Sequence, residues 1–242
     1  MTRFSLEPAY ILHRRAYRET SLLLDVFSQE HGRLSLLAKG IRKKNNRLAG
    51  MLQPFVPLMI SFSEGAELAI LQDADIRGGL SFITGNALIA GLYLNELLVN
   101  FLQKGDAYTA LFHFYENTLM GLQASLLDEK IIRSFEKKLL DELGYGLFPR
   151  SEEAMLNAWQ HDAFYRFLPA TGWVKCESGE VYQEFSYSGE TLLAIASENF
   201  ADATILLQAK RLMRQVLTEL MNNKTIYSRQ MFVKVWEPSI ND

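Results

Sequence analysis

Cations are the residues of this chain best placed to do chemistry. The run Ala38-Lys39-Gly40-Ile41-Arg42-Lys43-Lys44-Asn45-Asn46-Arg47 carries five of them in ten positions, inside a 242-residue protein of formal net charge −3. Residues 1–50 hold ten Lys/Arg against four Asp/Glu, a local +6, and the remainder holds 15 against 24, a −9. A field with that direction attracts polyanions. Gly40, Asn45 and Asn46 make the run a mobile loop rather than a helix face, and a loop can follow a phosphate backbone. The competing reading is a solvated, unengaged loop. Upstream, Arg14, Arg15 and Arg18 surround Tyr17. Cations that track phosphates beside a stacking ring are what a sequence-tolerant single-strand site requires, with simple packing as the other role for Tyr17.

Catalytic patterns are scarce. There is no GxxxxGK[ST] phosphate loop and no GxGxxG, which argues against a nucleotide-driven motor or a dinucleotide enzyme. His13, His31, His113 and His161 are scattered without an HxxxH pair. Cys176 is the single cysteine, too few for a disulfide or a cysteine-built zinc site, and it reads as an incidental or packed thiol. Asp73-Ala74-Asp75 puts two carboxylates on one face of a strand, a pair that could hold Mg²⁺ for phosphoryl chemistry or simply mark a strand end. It supports the alternative of a metal-dependent nuclease or strand-transfer enzyme. An RNA-binding barrel module is the third alternative. The expectation is a non-enzyme with no metal and no cofactor. Phe112, Phe114, Tyr115, Phe135 and Phe148 lie on apolar helices and read as core.

Two textures position these residues. Up to about residue 80 the chain is a series of short apolar runs, 10–12, 21–27, 34–37, 55–62 and 67–71, with the glycine-ended connection Ser28-Gln29-Glu30-His31-Gly32 suited to a hairpin. Pro54 and Pro57 push the fourth run toward an edge or bulge. Five short strands in 80 residues predict a small closed barrel of the OB type, with the basic run between the third and fourth strands, on the rim. After Gly78-Gly79 the period is helical, over 86–104, 107–120, about 127–143 and 202–221. Ser125-Leu126-Leu127-Asp128 resembles a capping box with Asp for Glu. Ile131, Ile132, Phe135, Leu139, Leu140 and Leu143 then share a face, and Glu152-Glu153 sits in the first turn of a short helix over 152–160. Residues 150–190 form an irregular insertion with strand-like Trp173-Val174 and Val181-Tyr182. The fold class is therefore α+β: a barrel domain over 1–80, then a mainly helical domain over 81–242.

Composition agrees with a globular protein: 48% hydrophobic and 22% charged residues. No apolar run approaches the ~18 residues of a membrane span, and Glu7-Pro8 interrupts the N-terminus where a signal peptide would be apolar, so the chain reads as cytoplasmic. An isoelectric point near 5.9 means that nucleic-acid binding must come from a patch.

In the order and spacing of its motifs the chain resembles the RecO family of recombination mediators. The resemblance runs through Ile11-Leu12, Tyr17-Arg18-Glu19-Thr20-Ser21, Asp25-Val26-Phe27, Gly32-Arg33, Ala38-Lys39-Gly40-Ile41-Arg42 and Leu52-Gln53-Pro54-Phe55. It continues in Gly91-Leu92-Tyr93-Leu94-Asn95-Glu96-Leu97-Leu98, Arg133-Ser134-Phe135-Glu136, Leu143-Gly144-Tyr145, Ala209-Lys210-Arg211 and Ser228-Arg229, and is weakest over 150–190. It implies an OB barrel followed by a helical domain. It also implies binding of single- and double-stranded DNA, annealing of complementary strands, and action with RecR to load RecA onto strands coated by single-strand-binding protein. The protein would then be nucleoid-associated when acting on DNA. The candidate DNA contacts are Arg14, Arg15, Tyr17, Arg18, Arg33, Lys39, Arg42, Lys43, Lys44 and Arg47. The coating protein's acidic, Phe-ended tail would sit on the helical domain, where Arg133 with Lys137 and Lys210 with Arg214 pair at i,i+4 beside apolar faces. Many members carry four cysteines as a zinc site; with Cys176 alone this chain resembles the zinc-free branch.

Overall fold

The structure, a computed structural model, describes the chain except residues 1, 44–45, 66–67, 79–82, 125–127, 150, 152–153, 155–156, 178–184 and 237–242, with backbone alone at 232–236. Lys44, Ser125-Leu126-Leu127, Glu152-Glu153 and Val181-Tyr182 thus lie outside the described residues. Of the helical piece expected over 152–160, residues 154, 157 and 158 are helical.

The apolar runs form five strands, β1 (Arg3–Tyr17), β2 (Ser21–Ser28), β3 (Gly32–Ala38), β4 (Leu58–Ser63) and β5 (Ala69–Ile76), with a short helix α1 (Leu48–Met51) before β4. They close into a barrel in the order β1-β2-β3-β5-β4, the OB-like topology. β1 is far longer than its apolar core Tyr10-Ile11-Leu12 suggests, because it serves two neighbours. Its first part pairs with β4 and its later part with β2, with register shifts between Phe4 and Glu7 and between Ile11 and His13. Such shifts bend a strand enough to let a small barrel close. β4 starts only after Pro57, and Pro54 makes one isolated bridge to Ile11, as expected where an N–H is missing. Alternate residues point inward: Ala9, Ile11, Leu24, Val26, Leu36, Ala38, Leu58, Ile60 and Phe62 are all buried in one cluster.

The chain divides into two compact units, Met1–Leu127 with Ile226–Asp242, and Asp128–Thr225. The barrel therefore carries α2 (Gly85–Phe101), α3 (Thr109–Ala124) and the last helix, α7 (Tyr227–Trp236). Gly91 lets α2 approach: a Cβ there would stand 2.8 Å from a Phe55 ring carbon. Buried Asn95 donates to the Leu12 carbonyl at 2.9 Å and accepts from the Tyr115 hydroxyl at 2.6 Å, linking β1, α2 and α3. Burial, with the nearby Tyr10, pushes the Tyr115 hydroxyl well above its usual pKa, so it stays a neutral donor. α7 is capped by another helix: the Glu96 carboxylate of α2 accepts from the Tyr227 and Ser228 N–H groups, both at 2.8 Å, and from Ser228 Oγ at 2.6 Å. Three charge-assisted bonds at a helix N-terminus are a strong anchor. Glu96→Ala is expected to cost about 2 kcal/mol in urea unfolding, whereas Glu96→Gln should recover part of it. A loss below a few tenths would mean that α7 is held without this cap.

The second unit contains α4 (Glu129–Glu142), a three-stranded sheet ordered β7-β6-β8 (β6 Phe164–Leu168, β7 Gly172–Lys175, β8 Tyr187–Ser188), α5 (Gly189–Ala196) and α6 (Ala203–Leu220). The capping expectation needs correction at the start of α4. Asp128 is itself the N-cap, extended in backbone, with its carboxylate accepting from the Lys130 N–H at 2.9 Å. The acid thus faces the orphan N–H groups directly rather than from the third helical position. Around β6 and β7, Trp173 meets Phe148, Trp159, Phe167 and Tyr187 at centroid distances of 5.5–6.4 Å, and its indole N–H donates to the Leu147 carbonyl at 2.6 Å. This aromatic cluster, with the Trp173 indole N–H satisfied, packs the described part of the 150–190 segment.

Candidate nucleic-acid interface

Strand register decides which rim residues can meet. Arg15 lies opposite Leu23, and Leu23 opposite Leu37; Tyr17 lies opposite Ser21. Side chains alternate along a strand, so Arg15, Tyr17, Ser21, Leu23 and Leu37 share the outward face of β1–β2–β3. That face carries a cation and a ring over two half-buried leucines. Beyond it the rim hollows between the β1–β2 turn and the loop after β3. The hollow, about 380 Å³, is lined by Tyr17, Arg18, Thr20 and Ser21 on one side and by Leu37, Lys39, Gly40 and Lys43 on the other.

The sequence suggested a mobile loop; its first half is pinned. Ile41 is buried in the barrel core. The Arg42 N–H donates to the Thr20 carbonyl at 2.8 Å, and its guanidinium reaches the Arg18 carbonyl at 3.4 Å, tying the two walls together. Gly40 takes φ +69°, and the Lys43 N–H closes a turn onto its carbonyl at 3.2 Å. A Cβ at Gly40 would meet only the Lys43 stem, at 3.8 Å, so that stem is folded back over the turn. Arg18 has φ +52°, rare for a non-glycine residue, and its guanidinium lies 5.3 Å from the Tyr17 ring centroid. Among the described residues, Arg15, Arg18, Lys39 and Lys43 make no ion pair, which leaves their charge for a ligand.

Other candidates fall elsewhere. Arg14 faces away from Arg15 and donates to the Leu52 carbonyl at 3.1 Å. Arg33 stands at the far end of β3, where its guanidinium donates to the carbonyls of Val99 and Leu102, the latter at 3.3 Å, closing the C-terminus of α2. A cation there complements both the orphan carbonyls and the helix dipole. Arg47 bridges Asp75 at 3.3 Å and Asp73 at 3.7 Å across exposed faces. The carboxylate pair is thus occupied by a cation of the chain itself, and among the described residues no three His, Cys, Asp or Glu side chains converge as a metal-binding group. Thr20, Ser21, Leu23 and Leu37 escaped the sequence reading; the two leucines sit in apolar runs that look like core until register turns alternate residues outward.

In the second unit the four expected partner cations also separate. Arg133 is buried against fully buried Glu136, 3.0 Å apart. Lys137 bonds the Ala196 carbonyl and Glu198, the latter at 3.0 Å. Lys210 pairs with Glu129 at 2.9 Å. Arg214 lines an open cavity of about 490 Å³ along α6, together with Phe185, Arg211, Gln215, Thr218, Glu219 and Asn223. Arg211 lies over the Phe185 ring at 5.2 Å, and neither arginine has an ion pair among the described residues. Behind them burial pushes the Tyr187 hydroxyl up to about 12.

Fold and site together define an OB-type barrel protein with a cationic rim, joined to a helical unit. The chain belongs to the recombination protein O family: the family model for its N-terminal part matches residues 1–80 and that for its C-terminal part residues 84–225. It is similar to proteins named DNA repair protein RecO, at 43% identity to one from Coxiella burnetii (95% of this chain, 98% of the relative). The corresponding values are 38% for one from Dechloromonas aromatica (96% of each) and 40% for one from Methylococcus capsulatus (96% and 94%). No described helix is long and apolar enough to cross a membrane.

Proposed function

We propose that this chain is a non-enzymatic DNA-binding mediator of recombination in DNA repair, working in the cytoplasm on nucleoid DNA. The observation that carries the reading is the outward face of β1–β3 with its rim, where Arg15, Arg18, Lys39 and Lys43 stand around Tyr17 without ion pairs among the described residues. Neutralising phosphates releases counterions, giving affinity without sequence preference, and stacking on a ring favours unpaired strands. Duplex DNA binds to the same charge with less help from the ring. Annealing two strands needs their mutual repulsion reduced, which cations supply without a catalytic group. In this role the protein acts with RecR to help load RecA onto strands coated by single-strand-binding protein, the partnership that its resemblance to the family implies. A quenched-fluorophore annealing assay with EDTA present tests the reading. Annealing with intact strands is expected; cleavage that appears only with Mg²⁺ would instead favour the nuclease alternative centred on Asp73 and Asp75.

The tail of the coating protein fits the α6 cavity better than α4. Of the four cations expected to hold it, Arg214 alone among the described contacts is not committed to an internal bond through its side chain, and Arg211 and Phe185 stand beside it. Two guanidinium groups next to an aromatic wall suit carboxylates followed by a terminal Phe. Replacing Arg211 and Arg214 together with Ala is expected to weaken an acidic, Phe-ended peptide at least tenfold in an anisotropy titration, with DNA binding unchanged. Unchanged peptide affinity would move the tail site elsewhere.

A further inference from the structure

An open groove meets a single strand one phosphodiester at a time, each with a single negative charge, so its cations should be strung along the path. The rim hollow is built differently. Arg18, Lys39 and Lys43 gather on one open hollow of about 380 Å³, whose lining also includes Thr20 and Ser21. Arg42 clamps the two walls through the Thr20 and Arg18 carbonyls, and Lys43 is folded back over Gly40. Three cations and two O–H donors on one space exceed what an internal phosphodiester can use. A terminal phosphomonoester carries about −1.5 to −2 at pH 7 and three strong acceptor oxygens, which matches this donor set. The Tyr17 ring in the same lining gives the terminal base a face to stack on.

We infer that this hollow holds the phosphorylated end of a DNA strand. The inference rests on the DNA-binding reading above and adds to it that strand ends are distinguished from strand interiors. The outward face of β1–β3 carries the chain that follows.

The test compares one single-stranded oligonucleotide with a 5′-phosphate, with a 3′-phosphate and with hydroxyls at both ends, titrated against the full chain. One phosphorylated form should bind about tenfold tighter than the hydroxyl form, and which form it is reads the strand polarity. Lys43→Ala should bring the three forms to one common, weaker affinity, so that the preference is lost. Equal affinities for the three forms overturn the inference and leave the DNA-binding reading standing; failure of every form to bind overturns both. A free deoxynucleoside 5′-monophosphate is the competitor arm. It should remove the preference at lower concentration than inorganic phosphate, because it brings both a phosphomonoester and a base for Tyr17; equal competition by inorganic phosphate overturns the assignment of a stacked strand end.

Discussion

Replacing Arg18, Lys39, Arg42 and Lys43 together with Ala is expected to lower affinity for single-stranded DNA on the order of 10³-fold at physiological salt. The slope of log K against log salt should fall by up to ~2.8 at the same time, since each lost phosphate contact to a single strand removes about 0.7. All four residues are exposed, and the Arg42 contact that fixes the loop is made by its backbone N–H to Thr20. The variant should therefore stay folded, losing no more than about 0.5 kcal/mol per site. Tyr17→Ala is the complementary measurement: it should weaken binding by about 1–3 kcal/mol with little change in slope, because stacking releases no counterions. A quadruple variant whose slope matches the unaltered protein would remove the rim from the DNA path.

Arg133→Ala is expected to destabilise the second unit by about 3–5 kcal/mol, the loss typical when one partner of a buried ion pair is removed. Glu136 has no exposed surface and its carboxylate lies 3.0 Å from the Arg133 guanidinium, so the truncation removes a cation partner from a carboxylate that water cannot reach. Arg133→Met with Glu136→Leu should restore most of the loss, because apolar side chains of similar volume need no desolvation penalty. Urea unfolding of the two single variants and the double variant measures the coupling directly. A cost under about 1 kcal/mol for Arg133→Ala would show that other groups already satisfy Glu136. Any effect of Arg133→Ala on peptide or DNA binding has to be read against this instability.

Much of the barrel was legible in the chain because strands of a closed sheet are short, apolar and punctuated by turn residues, and Gly32 and the prolines of 54–57 mark those turns. Charge was legible too: five cations in residues 38–47 cannot be buried together, so a basic surface was certain before any fold was known. The apolar stripes of α4 and α6 followed from their period, and Leu139, Leu140, Leu212 and Val216 are buried as that period requires.

What each cation does was not legible, since it depends on neighbours distant in sequence. Arg15 and Arg14 are adjacent in the chain, yet the alternation of β1 sends one to the open face and the other to the Leu52 carbonyl. Arg33 looks like its neighbours on the rim until β3 places it against the end of α2, 66 and 69 residues away. Arg133 sits on a helical face beside apolar residues, and only the packing around α4 turned that rim position into a buried ion pair. α7 gave no helical signal in its aromatic and β-branched sequence; it is anchored by Glu96, 131 residues earlier. Sequence determined where charge and apolar surface occur, because composition and period are local properties. Tertiary structure decided which charges remain without a partner, because pairing is settled by residues that only the fold brings within hydrogen-bonding distance.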